Sequence, residues 1–240
     1  MTDLIFYQHV VSLDKEEHAK LKLDQVRNLD FSRKTNSVPL VMGEFVDASR
    51  DLPIVFVKGA DQSYMPVALL GLRESENLFI KPDGRWDGRY LPAFIRRYPF
   101  APAEAGDGQM LVCIDEKAEC LSVDEGEPLF DENGPSPTLK NVMGLLQEYQ
   151  EQALRTQAFC KRLADCNLLV ESNAQARLGD GSDFRLSGMY VVDQNRLQVL
   201  DRDKVHDFFS SGELALIYAH LQSLGNLQQL VEKLAARLGN

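Results

Sequence analysis

The chain has 240 residues, of which 44% are hydrophobic and 26% charged, and its formal net charge at pH 7 is −10. The first two values are typical of a globular protein with a sizeable core. The acidic balance argues against non-specific binding to nucleic acid or to an anionic membrane, and no run of about 18 apolar residues predicts a membrane-spanning helix.

The first half of the chain predicts a β-rich structure. Apolar, β-prone residues predict a strand at 4–13, and Ile54–Lys58 carries the strongest signal for a buried strand. Ser37 is placed to cap a short helix at 37–46, which the sequence Asp51-Leu52-Pro53 ends. Further short strands, separated by turn residues, are predicted at 66–72, 78–81, 90–95 and 110–115. Together they favour a mostly antiparallel, curled sheet.

An acidic stretch then interrupts this pattern. Residues 104–132 hold ten acidic residues and one lysine, with Gly and Pro frequent at both ends. This composition predicts a surface excursion around the 110–115 strand and a subdomain boundary near 131–138.

The second half of the chain is predicted to be mainly helical. Apolar residues recur at helical spacing from 139 to 163, which predicts a long helix over 138–167. Residues 184–200 alternate and predict a β-hairpin that turns at Asp193-Gln194-Asn195, and amphipathic helices are predicted at 212–224 and 227–238. The fold class is therefore α+β, with a β-rich half (1–135) and a helical half with one hairpin (136–240) in one integrated domain.

Residues 86–100 form the segment richest in aromatic and guanidinium groups, here called the aromatic–arginine segment. It contains the single Trp, two Tyr, two Phe and three Arg. Arginine stacks on aromatic rings and binds carboxylates or phosphates through its planar fork, so the segment could form a recognition surface. The other interpretation, which the acidic stretch at 104–132 favours, is that the aromatic side chains fill the core and the arginines pair with nearby acids. The candidate binding residues are Trp86, Arg89, Tyr90, Arg96, Arg97 and Tyr98.

The sequence contains no recognisable catalytic or metal-binding signature. The four cysteines form no C-x-x-C pair, and the four histidines match no metal-ligand motif. His220 lies on a predicted amphipathic helix and is retained as a further candidate binding residue. We therefore predict no catalytic residues, no metal and no cofactor. Because the N-terminal residues lack a basic segment followed by an apolar run, a cytoplasmic location is expected, with surface association left open.

The aromatic–arginine segment also resembles the hallmark of a known family, the bacterial SapC-like proteins. The matching residues are Asn77-Leu78-Phe79, Trp86, Tyr90-Leu91-Pro92-Ala93 and the run from Arg96 to Phe100. Further matches follow at Cys113-Ile114-Asp115, Leu129-Phe130-Asp131, Leu186-Ser187-Gly188 and the run from Ile217 to Leu224. The peptide-transport permease that shares the label is a membrane protein and is a different family.

The resemblance implies little about activity. The family label comes from surface-layer loci, and similar proteins are often encoded beside flavin-dependent halogenase-like proteins, cupin-like proteins and outer-membrane receptors. We therefore expect an accessory protein that binds a protein or peptide partner, with the halogenase-like and cupin-like neighbours as candidates. The alternative is an enzyme that acts on an amino-acid or peptide substrate, with Arg96 or Arg97 as a carboxylate clamp and His18 or His220 as acid–base group. A coat component is a third possibility.

Arg96 and Arg97 support one structural prediction. Adjacent residues of an extended segment point to opposite faces, so one of these side chains is expected to face inward. A buried guanidinium without a partner is costly, and we therefore expect one of the two to pair with a carboxylate, most simply from residues 104–131.

Overall fold

A computed structural model describes residues 5–26, 28–104, 106, 110–177 and 183–239. The strands are β1 (Val10–Ser12), β2 (Lys22–Leu23), β3 (Ser37–Pro39), β4 (Ile54–Lys58), β5 (Tyr64–Leu69), β6 (Phe100–Glu104), β7 (Met110–Asp115), β8 (Leu121–Ser122), β9 (Glu127–Pro128), β10 (Phe130–Asp131), β11 (Gly134–Pro135), β12 (Leu169–Arg177) and β13 (Asp183–Val192). The α-helices are α1 (Phe45–Ala48), α2 (Ala93–Arg96), α3 (Pro137–Asp165), α4 (Gln194–Gln198), α5 (Arg202–Ser210), α6 (Glu213–Ser223) and α7 (Leu227–Leu238). Strands and helices are both abundant, so the α+β prediction is confirmed.

The main sheet has five antiparallel strands in the order β12–β13–β4–β5–β3. Ile54, Val55 and Phe56 at the start of β4 are fully buried, because this central strand is covered on both faces. Continuous apolar runs of this kind are typical of such strands. The sheet combines β3–β5 from the first half of the chain with β12 and β13 from the second.

Helix α3 packs along β5 and closes one side of the core. Ser136 caps its N-terminus by accepting a hydrogen bond from the Leu139 amide, and Pro137 occupies the first turn, where its missing N–H costs nothing. Phe159 of α3 meets Phe45 edge to face, with 6.1 Å between ring centroids. Residues from both halves of the chain thus belong to one hydrophobic cluster.

A second sheet, β1–β7–β6, carries the N-terminal segment. Residues 10–12 pair with 113–115 of β7, and β6 lies on the other side of β7. Phe100, Ile114, Leu129 and Leu146 form the smaller cluster beneath this sheet. The rest of the acidic region contributes to a short three-stranded sheet, β8–β2–β9, and forms a short strand pair, β10–β11.

Three predicted elements in the first half are wrong. Residues 37–39 form strand β3, and the short helical turns begin only at Met42. Residues 90–95 are not a strand, because Pro92 starts helix α2. Residues 78–81 also form no strand beyond one isolated bridge, Ile80 to Trp86.

The predicted hairpin at 184–200 is also wrong. β13 pairs with β12, which precedes it, and Asp193 caps helix α4 by accepting hydrogen bonds from the amides of Asn195 and Arg196. By contrast, α3, α6 and α7 lie where the helical periodicity predicts them. Within the described residues, no helix is long and apolar enough to cross a membrane.

Candidate functional site

The aromatic–arginine segment has an outward and an inward part. Trp86 is half-buried and stacks on the buried ring of Phe79, with centroids 5.2 Å apart and an interplanar angle of 20°. Its Nε1–H donates a hydrogen bond to the backbone oxygen of Tyr90 at 3.0 Å. One edge of the indole therefore remains at the surface in a fixed orientation.

Tyr90 joins Arg96 at the surface to a buried carboxylate, Glu44. The Tyr90 hydroxyl donates to Glu44 Oε1 at 2.9 Å and accepts from Arg96 Nη2 at 3.3 Å. The Arg96 guanidinium also lies 5.6 Å from the centre of the Tyr90 ring, within cation–π range. This chain of contacts holds an exposed arginine against a tyrosine that is itself anchored below.

Backbone amides at the N-terminal ends of two helical turns hold the Glu44 carboxylate in position. Its Oε2 accepts the Val41 amide at 2.9 Å, and its Oε1 accepts the Ala93 amide at 2.7 Å, which is the first N–H of α2. Helix N-termini leave such amides without intrahelical partners, so one carboxylate satisfies both. Burial raises the pKa of Glu44, although these hydrogen bonds and the nearby Arg96 charge act in the opposite direction.

Arg89 lies beside a second buried carboxylate, Asp51. The Arg89 amide donates to Asp51 Oδ2 at 2.5 Å, while its side chain is exposed. A Cβ at Gly88 would lie 2.6 Å from Trp86 Nε1 and 2.8 Å from Asp51 Oδ2, so the chain can pass between these groups only as glycine. Burial raises the pKa of Asp51, whereas the hydrogen bond from the Arg89 amide and the charge of Arg89 act to lower it.

The inward part of the segment consists of Arg97 and Tyr98, which are 3% and 7% exposed. The Arg97 guanidinium carbon lies 4.1 Å from the Phe94 ring centre and 4.9 Å from that of Tyr149. Tyr98 stacks on Phe31 with 3.9 Å between centroids. These two residues are parts of the core and not of the accessible surface.

The expected ion pair of Arg96 or Arg97 is not found. No carboxylate whose side chain the structure describes lies within 4.0 Å of either guanidinium, and Arg97 Nε has no hydrogen-bond partner. The Glu104 side chain and residues 105 and 107–109 fall outside the described part of the acidic stretch. Asp115, the buried acid nearest in sequence, accepts the amides of Gln8 and His9 instead.

Aromatic rings therefore surround Arg97 where a carboxylate was expected. Replacing Arg97 should consequently affect stability more than replacing its exposed neighbour Arg96. Arg97→Ala is expected to destabilise the fold by about 2 kcal/mol, because two desolvated cation–π contacts of about 1 kcal/mol each are lost. Arg96→Ala is expected to cost less than about 0.5 kcal/mol, as is usual for an exposed position. Urea unfolding of both variants provides the measurement, and equal losses would contradict the assignment.

His220 lies in the core and joins α6 to the main sheet. It has no exposed surface; its Nδ1–H donates to the Ile54 oxygen at 2.9 Å, and its Nε2 accepts the Val192 amide at 3.0 Å. Both ring nitrogens are thus occupied by backbone groups. Arg97 lies in the core as well. Two of the residues named for the alternative enzyme function, Arg97 and His220, therefore pack inside the fold.

The other buried histidine, His18, faces an acid. Its Nε2 lies 3.2 Å from Glu116 Oε1, and its Nδ1 accepts the Asp14 amide at 3.0 Å. His9 reaches the second oxygen of Glu116 at 3.0 Å. This cluster fastens the N-terminal segment to the end of β7; across the described residues, no three His, Cys, Asp or Glu side chains are grouped so that they could hold a metal ion.

Two of the outward residues, Trp86 and Arg89, border a pocket of about 430 Å³. Trp86, Arg89 and Asp51 line it from the segment side, and Lys233 of α7 lines it from the other. Lys233 bonds to the Asp87 carboxylate at 2.5 Å, which ties α7 to the segment. A larger, mostly apolar groove of about 630 Å³ lies between α3 and β5, away from the segment.

The structure thus brings Trp86, Arg89, Tyr90 and Arg96 to the surface and places Arg97, Tyr98 and His220 inside. Sequence reasoning missed Glu44 and Asp51, the two buried acids that position the outward residues. Glu44 lies 46 positions before Tyr90, and Asp51 lies 38 before Arg89. Nothing local in the sequence signals either contact.

Comparison with known proteins gives one match. A family model described as SapC matches residues 13–230, which is most of the chain. No curated protein and no solved structure matches it.

Proposed function

The chain belongs to the SapC family, and we propose that it is an accessory protein that binds a protein or peptide partner. The binding surface consists of Trp86, Arg89, Tyr90 and Arg96, and is called the Trp86–Arg96 surface. Trp, Tyr and Arg are the residue types that most often dominate binding energy at protein interfaces.

The observation that carries the proposal is that two exposed arginines without a described ion pair lie in the same short segment as two aromatic side chains that are held in place. Neither Arg89 nor Arg96 forms an ion pair with a carboxylate that the structure describes. Trp86 is fixed by stacking on Phe79, and Tyr90 by its hydrogen bond to Glu44. Such pre-ordering lowers the entropy that binding must overcome.

The chemistry of the surface favours a partner that offers carboxylates and apolar contacts. Guanidinium groups bind carboxylates through paired N–H donors, and the indole edge supplies apolar area. The flavin-dependent halogenase-like and cupin-like proteins encoded near related chains are the first candidates. Their assignment as partners rests on the family resemblance.

Binding of purified candidates can be measured by biolayer interferometry with a matched pair of double variants. Arg89→Ala with Arg96→Ala is expected to weaken binding at least about tenfold, because each interface arginine commonly contributes about 1 kcal/mol or more. Arg155→Ala with Arg202→Ala removes two exposed arginines elsewhere, on α3 and α5, and should leave affinity unchanged.

Two outcomes of this binding experiment would contradict the proposal. Equal losses in the two double variants would indicate general electrostatic attraction and no specific surface. If every candidate binds and neither variant weakens it, the partner uses another face. Glu44→Gln tests the support beneath the surface, since it should weaken the hold on Tyr90 without removing an exposed group.

A further inference from the structure

A second charged pocket, of about 420 Å³, is lined by three arginines: Arg33, Arg73 and Arg237. Glu74, Ser75 and Glu76 complete its lining. It is called the three-arginine pocket. None of these residues belongs to the Trp86–Arg96 surface, and a cluster of cations is unexpected on a chain of net charge −10.

Two of the three guanidinium groups converge on one backbone oxygen. Arg237 Nη2 donates to the Ile80 carbonyl at 2.7 Å, and Arg33 Nη1 approaches the same oxygen at 3.4 Å. Two like charges that share one neutral acceptor repel each other. Partial burial is the main cause that lowers the pKa of Arg237. The attraction of Glu76 opposes it, and the smaller repulsion from Arg33 and Arg73 adds to it.

Two of the three arginines form ion pairs with acids at the pocket. Arg73 forms a two-pronged pair with Glu76, with Nε at 3.0 Å from Oε2, and Arg33 pairs with Asp30, with Nε at 2.8 Å from Oδ1. Within the described part of the chain, no carboxylate comes within 4.0 Å of Arg237. Arg237 is therefore the arginine of this pocket that has no direct ion pair with a described carboxylate.

The loop that carries Arg73 and Glu76 is closely packed at its two ends and exposed between them. A side chain at Gly71 would overlap the backbone of Glu76, which is itself 9% exposed. The arginines of the pocket keep free N–H donors, since each guanidinium has five.

We propose that the three-arginine pocket binds a carboxylate group. An anion placed between Arg33 and Arg237 removes their repulsion and accepts hydrogen bonds from their remaining N–H donors. A carboxylate group brings one negative charge close to Glu74 and Glu76, whereas a phosphate dianion brings nearly two charges on one group to the same place and is repelled more strongly. The carboxylate can come from an acidic peptide or from a small dicarboxylic acid.

The test follows the arginine Nε–H signals by NMR at low ionic strength, where exposed charges are least screened. The probes are succinate, an acidic peptide with blocked termini, its Asn/Gln counterpart, and inorganic phosphate. Succinate or the acidic peptide is expected to shift the Arg33 and Arg237 signals in a saturable way, and the amide peptide is not. The stronger of the two carboxylate probes identifies the source, and either result supports the site.

Three variants make the result specific. Arg237→Ala should weaken carboxylate binding at least tenfold, and Arg237→Lys should weaken it less, because it keeps the charge and loses the fork. The Arg155→Ala and Arg202→Ala double variant should leave the carboxylate-induced shifts of Arg33 and Arg237 unchanged, which controls for the loss of two positive charges elsewhere.

Three outcomes would overturn the proposal: no saturable shift with any carboxylate, an unchanged affinity in Arg237→Ala, or phosphate binding more tightly than both carboxylate probes.

Discussion

Replacing His220 with alanine is expected to lower the free energy of unfolding by about 3–5 kcal/mol. The imidazole satisfies the Ile54 carbonyl and the Val192 amide, both of which are buried. Without it, each backbone group loses its partner at a cost of about 1–3 kcal/mol, and a cavity remains at the ring position. Urea unfolding at pH 7.5, followed by Trp86 fluorescence, measures the loss.

His206→Ala is the matched control for this change. His206 lies on α5 as an exposed residue, and its Nε2 is 3.4 Å from Ser210 Oγ, so its removal should cost less than about 0.5 kcal/mol. If the two histidine variants lose the same stability, His220 does not link α6 to the sheet as described.

Mild acid is expected to weaken the fold through the same residue. Burial lowers the pKa of His220 from 6.5 to about 4, although its hydrogen bond to Ile54 acts the other way. Below pH 6.5 the unfolded chain binds a proton that the folded chain binds only near pH 4, so stability falls as pH decreases through this interval. At about 1.4 kcal/mol per pH unit, the loss from this group is about 3 kcal/mol.

Comparing the unaltered chain with His220→Ala separates the effect of His220 on the pH dependence of stability from that of the carboxylates. The unaltered chain and His220→Ala carry the same acids, so the stability gap between them should shrink by about 3 kcal/mol from pH 7.5 to pH 4. A gap that stays constant over this range would mean that His220 titrates alike in the folded and unfolded chains.

The helices show what could be predicted from the sequence, and the hairpin shows what could not. Helix α3 repeats apolar residues at helical spacing and is opened by Ser136 and Pro137, so local signals suffice. Strand β12 is largely polar and gives no such signal, and it becomes a strand through pairing with β13. The Asp193 sequence suits a turn and a helix cap equally well, since both use its side-chain oxygen.

The composition of the candidate site could be predicted from the sequence, but the burial of its individual side chains could not. The aromatic and arginine content correctly indicates a segment where many side chains interact, yet it does not say which of them face water. Arg96 and Arg97 point differently because they end a helix that begins at Pro92, not because they alternate along a strand. That helix starts where it does because Glu44, far away in sequence, accepts its first amide.

The arrangement of the main sheet also determines what the chain exposes while it is being synthesised. Until β13 is complete, the apolar strand β4 has an open edge, because β13 is its neighbour on that side. The N–H and C=O of Ile54 lack their partners until α6 is synthesised, because they bond to the Ser223 hydroxyl and the His220 imidazole. A nascent chain therefore carries an exposed, aggregation-prone edge over most of its translation. We therefore expect a chain truncated before β13 to aggregate more readily than the complete one.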